Sequence, residues 1–570
     1  MRWLQCLGVS ALALGAAGCE DTSTPVGALD ATVKDVVSDA PTATEASVDA
    51  DAPAADVVDA SAFASGPYGL RPRDLAGPFT VMTQDGPWVF EEHFTHEDSY
   101  VFIVVNASNY STSLLGGSVG ALVEQSPRNV HYFFLPANGS TQLAALRART
   151  DDELAGFSEE DRDYWSQRLH YVSDDLNTTQ TWLGQLYRTR RATMNMVPRY
   201  ESVQWAVDRF QRIREVGQLG RITATGLRLE LPLLANEARY YNFEYSREQD
   251  LAAHPATTVT LLDRATVIEN VDIDAVLPDG ATMATFDTLE ADLSTDCLNH
   301  RDGDCGAWDY LSHLWLCSEE APSPDAGAPA DASPDAGPAP ILRCDTELAR
   351  WITTYWREGR WVTDISGVLP LLRRGGRQHL RWYASRQFDP RPAPYVASLA
   401  LRFGNRRREV RPFDTRLLFQ GGALNSTWAA RHPAQRFTVP ADTRRAELYV
   451  LVTGHGSATS QCAEFCNHGH HFVFNGHDHL VDFPEARSPD GCVERVDQGV
   501  VPNQHGTWYF GRGGWCPGWD VRPVVIDVTS ELRAGAENEL SYTATVDGRV
   551  ISSMAGYGNI VLTSYLVLSR

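Results

Sequence analysis

The chain has 570 residues, 43% of them hydrophobic, which is enough for several cores and, at about 150 residues per domain, for roughly three domains. Its formal net charge is -24. Residues 20–66 carry ten acids against the single base Lys34, so nine of those charges sit in one short tract. The remainder is only mildly acidic, which argues against nucleic acid as a partner.

The N-terminus reads as an export signal over residues 1–18. Arg2 precedes an apolar run from Leu7 to Ala17 that is too short to span a bilayer, where about 20 apolar residues are needed. Ala16-Ala17-Gly18-Cys19 then resembles a bacterial lipobox, which makes Cys19 the lipidated first residue of the mature chain. A plainly cleaved signal with an incidental cysteine is the alternative, and both readings export the chain. Residues 19–66 are acidic and rich in Ala, Thr, Val and Pro, and cannot bury enough apolar surface to offset their ordering entropy. They read as a solvated tether. The location expected is the cell envelope, periplasmic or outer-surface facing, with the membrane reached through the lipid anchor.

Residues 67–250 read as a smaller α/β domain. VFIVV (101–105), VHYFFL (130–135) and LHYV (169–172) are short buried-strand runs, with helix-like stretches at 142–149 and 159–168 and a strongly periodic segment at 203–216. The order is distantly similar to a thioredoxin-type fold. No cysteine lies between Cys19 and Cys297, so thiol chemistry is excluded there and a scaffold or partner-binding role is expected.

From about residue 255 the pattern changes to short alternating strands, among them TTVTLL, LEADLS, SLALRF, AELYVLV, HHFVFN, PVVIDV and NIVLTSYLVL, separated by Gly, Asp and Pro turns. That spacing predicts β-sandwiches or jelly rolls, taken here as 255–405 and 406–570. Residues 318–340 repeat SPDAG without apolar periodicity and read as a disordered insertion. Cys317 and Cys344 flank it, so a disulfide closing its neck is the simplest pairing.

Eight cysteines follow Cys19: Cys297, Cys305, Cys317, Cys344, Cys462, Cys466, Cys492 and Cys516. An even number in an exported chain favours disulfides, with zinc the alternative for Cys462 and Cys466 beside histidines. A disulfide there would hold Glu464 in a small rigid loop. Asp309 stands between Trp308 and Tyr310, where partial desolvation would raise its pKa and suit acid/base work. Six histidines crowd residues 455–479, and His477 and His479 share a strand face as an H-x-H pair suited to copper, with His470 a further candidate ligand. A polar turn and strand surface explains the same cluster without a metal.

Taken together, CGAWDY (305–310), the Thr453-Gly454-His455-Gly456 turn, CAEFC (462–466), Gly491-Cys492 and GRGGWCPG (511–518) resemble the peptide:N-glycosidase F family over about residues 255–570. The resemblance implies two packed eight-stranded jelly rolls and the disulfides Cys297–Cys305, Cys462–Cys466 and Cys492–Cys516. It also implies an amidase that cuts the glycosylasparagine bond of N-linked glycoproteins or glycopeptides without a cofactor. By position, Asp309 matches the family's primary catalytic acid, Glu464 its second carboxylate, Arg512 its substrate-binding arginine and Trp515 an aromatic at the sugar site. Trp308 would stack on a sugar face. The pattern departs from the family at Ser385, which replaces a glutamate, and at Gln387 and Phe465, which replace tryptophans. Tyr310 replaces an arginine. Two other readings use the same architecture: a copper- and ascorbate-dependent monooxygenase-like enzyme, and a non-catalytic glycan-binding protein.

Overall fold

Strand patterning sets the architecture of the computed structural model, which describes residues 63–138, 141–193, 204–306, 308–320, 341–384, 394–456 and 462–570. The export signal, Cys19, nearly all of the tether, residues 321–340 of the insertion, Ser385 and Gln387 lie outside the described residues. No described helix is long and apolar enough to cross a membrane.

The α/β domain is built on β1 (Ser99–Val105), β2 (Val130–Pro136), β3 (Leu169–Tyr171), β4 (Gln204–Val207) and β5 (Ile213–Glu215), in the order β3-β2-β1-β4-β5. β1 is buried along its whole length, as expected of a strand covered on both faces. It pairs parallel with β2 and antiparallel with β4. The crossover from β1 to β2 carries α1 (Val119–Gln125); α2 (Thr141–Leu154), α3 (Glu159–Ser166) and α4 (Trp182–Thr193) follow, and α5 (Ala235–Ala253) comes after the sheet. A βαβ unit, then an antiparallel hairpin and a closing helix, is the order of a thioredoxin-type core. The periodic segment at 203–216 supplies that hairpin from residue 204 onward, with Trp205 opposite Glu215.

Two all-antiparallel sandwiches follow. The first packs β6 (Thr257–Val267), β7 (Asn270–Asp279), β8 (Thr288–Asp296), β9 (Leu311–Glu320), β10 (Ile341–Ile352), β11 (Gly359–Asp364), β12 (Gly375–Tyr383) and β13 (Tyr395–Gly404) into sheets ordered β6-β13-β8-β11 and β7-β12-β9-β10. The second uses β14 (Pro412–Ala423), β15 (Gln435–Thr438), β16 (Arg445–His455), β17 (His468–Phe474), β18 (His477–Val481), β20 (Val524–Asp527), β21 (Glu537–Val546) and β22 (Asn559–Ser569), in sheets β14-β22-β16-β20 and β15-β21-β17-β18. Each is an eight-stranded jelly roll. The short strand β19 (Trp519–Asp520) leaves the second roll to pair with β10 of the first. Alternation is clean where one face meets the core: β21 buries every second residue from Asn538 to Val546.

One continuous apolar core joins the α/β domain to the first roll, from Val101 and Tyr241 through Trp351 and Trp361. The second roll has its own core around Trp428, Leu448 and Phe472. Between the rolls runs a buried polar seam. Arg350 on β10 forks onto Glu347 at 2.7 and 2.8 Å, and donates to Thr453 Oγ1 at 3.0 Å and to the Val561 carbonyl at 2.7 Å. Thr563 and His313 complete Glu347, each at 2.6 Å. The pair is fully buried with its hydrogen bonds filled, the condition under which such a pair fixes one register of two bodies.

Candidate active site

All four disulfides expected from the sequence are present: Cys297–Cys305, Cys317–Cys344, Cys462–Cys466 and Cys492–Cys516. Three of them frame one site at the meeting of the two rolls. Cys297–Cys305 closes the loop ahead of Asp309, which precedes β9. Cys462–Cys466 closes a single helical turn, α6 (Cys462–Phe465), that carries Glu464. Cys492–Cys516 ties down the loop that delivers Arg512 and Trp515.

Close approaches of backbone explain the glycines in these motifs. A Cβ on Gly306 would fall 2.0 Å from the Tyr395 hydroxyl, and one on Gly513 would fall 2.2 Å from His468 Nε2. The His468 imidazole fills the space between the Glu464 turn and the Arg512 loop, and Gly513 N–H donates to the Glu464 carbonyl at 2.7 Å. Each loop therefore positions the other.

Arg512 is the centre of the constellation. Its guanidinium lies 3.1 Å from Glu464 Oε1 and 3.7 Å from Asp309 Oδ2, so one cation faces two carboxylates from different rolls. It also donates to the Thr507 carbonyl and hydroxyl, at 3.3 and 3.0 Å, and to the Phe510 carbonyl at 2.9 Å. Gly456 N–H donates to Glu464 Oε2 at 3.2 Å. The hydroxyl of Tyr355, just beyond β10, is directed at Asp309 and favours its ionised form.

The electrostatics follow from this geometry. Burial pushes the Asp309 carboxyl above its ordinary range, while Arg512 and the Tyr355 hydrogen bond pull it back only in part. Burial likewise raises Glu464; Arg512 opposes that rise and the charge of Asp309 adds to it. Two carboxyl groups that share one arginine and keep raised pKa values can hold a proton or accept one.

Exposure sorts the residues expected from the sequence. Trp308 is 46% exposed, and the Asp309 and Glu464 side chains are 17% and 20% exposed, so these three line an accessible surface. Trp308 meets Tyr355 edge to face, with ring centres 6.1 Å apart. Arg512, at 2%, and Trp515, at 4%, do not present themselves. The Trp515 indole donates to the Gly454 carbonyl at 2.7 Å, stacks on His455 and lies against the Arg512 guanidinium. Both make their contacts inside the protein: Arg512 faces the two carboxylates, and the Trp515 ring lies against His455 and the guanidinium. Tyr310 is also buried, its N–H donating to Thr353 Oγ1 at 2.8 Å. Tyr355, Thr507 and His468 were not singled out from the sequence. A partial signal for Tyr355 was present: the Cys317–Cys344 pairing makes β9 and β10 a hairpin, and counting back along it sets Asp309 opposite Ile352, from which two register shifts in the structure carry it towards Tyr355.

The copper trio does not assemble. His470 points into the core, where its ring nitrogens lie 2.8 Å from His468 Nδ1 and 2.7 Å from the Tyr542 hydroxyl. His479 faces Glu531 at 3.4 Å, and His477 is exposed at the start of β18. These residues do not fit a shared copper ion. Among the described residues two groups have ligand-like spacing. One contains the disulfide-bonded Cys462 and Cys466. The other, Asp296, His300 and Glu358, already holds Arg73 on Glu358 at 2.9 Å.

Comparison with known proteins places residues 424–567 in a match to the family model "Peptide-N-glycosidase F, C terminal". Among solved structures, PNGase F, a glycosylasparaginase from Flavobacterium meningosepticum, is 15% identical, with 55% of this chain and 95% of that one covered at a TM-score of 0.42. A peptide-N(4)-(N-acetyl-beta-D-glucosaminyl) asparagine amidase is 16% identical, with 55% and 96% covered at a TM-score of 0.41. PNGF-II is 14% identical, with 55% and 64% covered at a TM-score of 0.38. No curated protein matches.

Proposed function

We propose that this chain, which resembles the peptide-N-glycosidase F family, hydrolyses the amide between asparagine and the first sugar of N-linked glycopeptides or glycoproteins. The observation that carries the reading is the pair of accessible, pKa-raised carboxyls, Asp309 and Glu464, brought from two jelly rolls onto one buried arginine. Asp309, in its ionised form, accepts a proton from water as that water attacks the amide carbonyl carbon. The carbon–nitrogen bond then breaks, leaving aspartate in the peptide and a glycosylamine as the other product. Glu464 polarises the amide or hands a proton to the departing nitrogen. Trp308 offers a sugar-stacking face beside them. The reaction consumes one water and needs no cofactor.

Arg512 fixes the separation of the two carboxyls and partly neutralises them, so the site is preorganised before substrate arrives. We further place the protein at the cell envelope, anchored through Cys19. Four disulfides support an oxidising compartment.

The test uses N-linked glycopeptides incubated with the protein in the presence of a chelator and read by mass spectrometry. Conversion of asparagine to aspartate with release of the intact glycan supports the amidase. Tight glycopeptide binding without conversion would move the assignment to a glycan-binding protein. Activity that appears only with added copper would move it to redox chemistry.

A further inference from the structure

For residues 67–250 the sequence suggested a scaffold or partner-binding role, and the hydrogen bonds at their seam with the rolls make that role specific. The turn after β5 and the start of α5 grip the segment 489–509, which leads directly into Arg512. Gln218 N–H donates to the Asn503 carbonyl at 2.6 Å. The Asn503 amide donates to the Leu233 carbonyl at 3.0 Å and to Glu237 Oε1 at 2.9 Å. Asn503 is fully buried and holds a left-handed backbone, φ 51°, so this contact turns the chain at that point. Arg357 ties the same corner from the first roll, donating to Glu237 Oε1 at 2.9 Å, to the Pro502 carbonyl at 2.5 Å and to Asp302 at 2.9 Å. A second grip lies further on, where the Tyr509 hydroxyl exchanges hydrogen bonds with Ile222 N–H and carbonyl at 3.1 and 3.2 Å.

From this corner two short paths reach the carboxyls. Gln504, next to Asn503, accepts Tyr355 N–H at 2.9 Å and donates to the Val501 and Pro517 carbonyls at 2.7 Å each; the Tyr355 hydroxyl in turn is directed at Asp309. Thr507, four residues past Asn503, holds Arg512 through both its oxygens. We infer that the α/β domain is a built-in brace for the active site, with Glu237 and Asn503 as positioning residues that act through Tyr355 and Arg512. The inference rests on the amidase reading for its kinetic consequence, but not for its mechanical one.

The experiment compares the full chain with Asn503→Gly, which keeps the left-handed turn and deletes only the amide, and with Glu237→Gln. Val104→Ala serves as control, since it loosens the α/β core away from the seam. Hydrogen–deuterium exchange should rise in segments 501–515 and 305–312 of the two seam variants, and stay at the wild-type level there in Val104→Ala. On glycopeptide, kcat should fall about ten- to a hundred-fold with KM little changed, the cost of sub-ångström to one-ångström misplacement. The acid limb of the rate should also move to higher pH. Asp309 is faced by Arg512, Tyr355, Glu464 and Tyr395, and loosening the first two removes the groups that favour its ionised form. Unchanged exchange at 501–515 in both seam variants, or the same kinetic pattern in Val104→Ala, would overturn the brace. A wild-type protein inactive on every glycopeptide would instead sink the amidase reading, with exchange alone then deciding the brace.

Discussion

Tyr355→Phe isolates one hydrogen bond at the heart of the site. The side chain is 7% exposed, its ring packs against Trp308, and its hydroxyl is directed at Asp309, where it favours the ionised carboxyl. The substitution keeps the ring and its packing and removes only the donor. A hydrogen bond to a charged acceptor contributes about 1.5–3 kcal/mol, nearly all of it to the ionised form of Asp309. At about 1.4 kcal/mol per pH unit, losing it moves the acid limb of kcat/KM upward by about one to two units. The direction is fixed by the geometry: burial already disfavours the charge, and after the change Arg512 at 3.7 Å is the principal group left to oppose burial. The assay is kcat/KM on a glycopeptide from acid to neutral pH, which reports the free enzyme. At pH well above both limbs the variant should retain most of its rate. A rate lowered equally at every pH, with the limb unmoved, would refute the claim that Tyr355 acts by tuning Asp309.

Three further outcomes are expected. Replacing Cys462 and Cys466 together by Ser should cost about 2 kcal/mol in a denaturant titration, the chain-entropy value for so short a loop, yet lose far more in kcat because Glu464 is no longer held. Glu358 is pushed up by burial, but the His300 hydrogen bond and the Arg73 charge outweigh that and hold it at about 2. Its contribution to stability is therefore complete above the ordinary value of 4.5 and is lost as pH falls through about 2. Glu358→Gln should accordingly be less stable than wild type by on the order of 3 kcal/mol at neutral pH, and the gap should close in urea titrations near pH 2. Trp308→Ala, at an exposed position, should change stability by about 0.5 kcal/mol or less while raising KM for glycopeptides. A KM equal to that of wild type would remove the sugar-stacking role.

What could be read from the sequence divides along physical lines. Strands whose faces alternate, such as Thr288–Asp296, announce themselves locally, and so does β1, whose residues 101–105 are an unbroken apolar run buried on both faces. The pairing of Cys317 with Cys344 followed from their place at the neck of an insertion. The convergence of Asp309 and Glu464 did not follow from any local pattern: they lie 155 residues apart in different rolls, and the resemblance alone joined them. Burial was the property least legible in the sequence. Nothing local in GRGGW shows that Arg512 and Trp515 are buried, and the close approach of His468 to Gly513 exists only in the folded chain. The histidine cluster divides in the same way: β17 turns His470 into the core while His477 stays at the surface. Glu237 and Asn503 could not be found from the sequence, since their role exists only once the α/β domain docks on the loop before Arg512.

The central claim is tested most directly by incubating an N-linked glycopeptide in heavy-oxygen water with wild-type protein and with Asp309→Asn. The account predicts that wild type releases the intact glycan and leaves an aspartate whose side chain carries the heavy oxygen, and that Asp309→Asn, folded to the same extent, does neither. Glycan release without label in the peptide, or an Asp309→Asn variant as active as wild type, would contradict it.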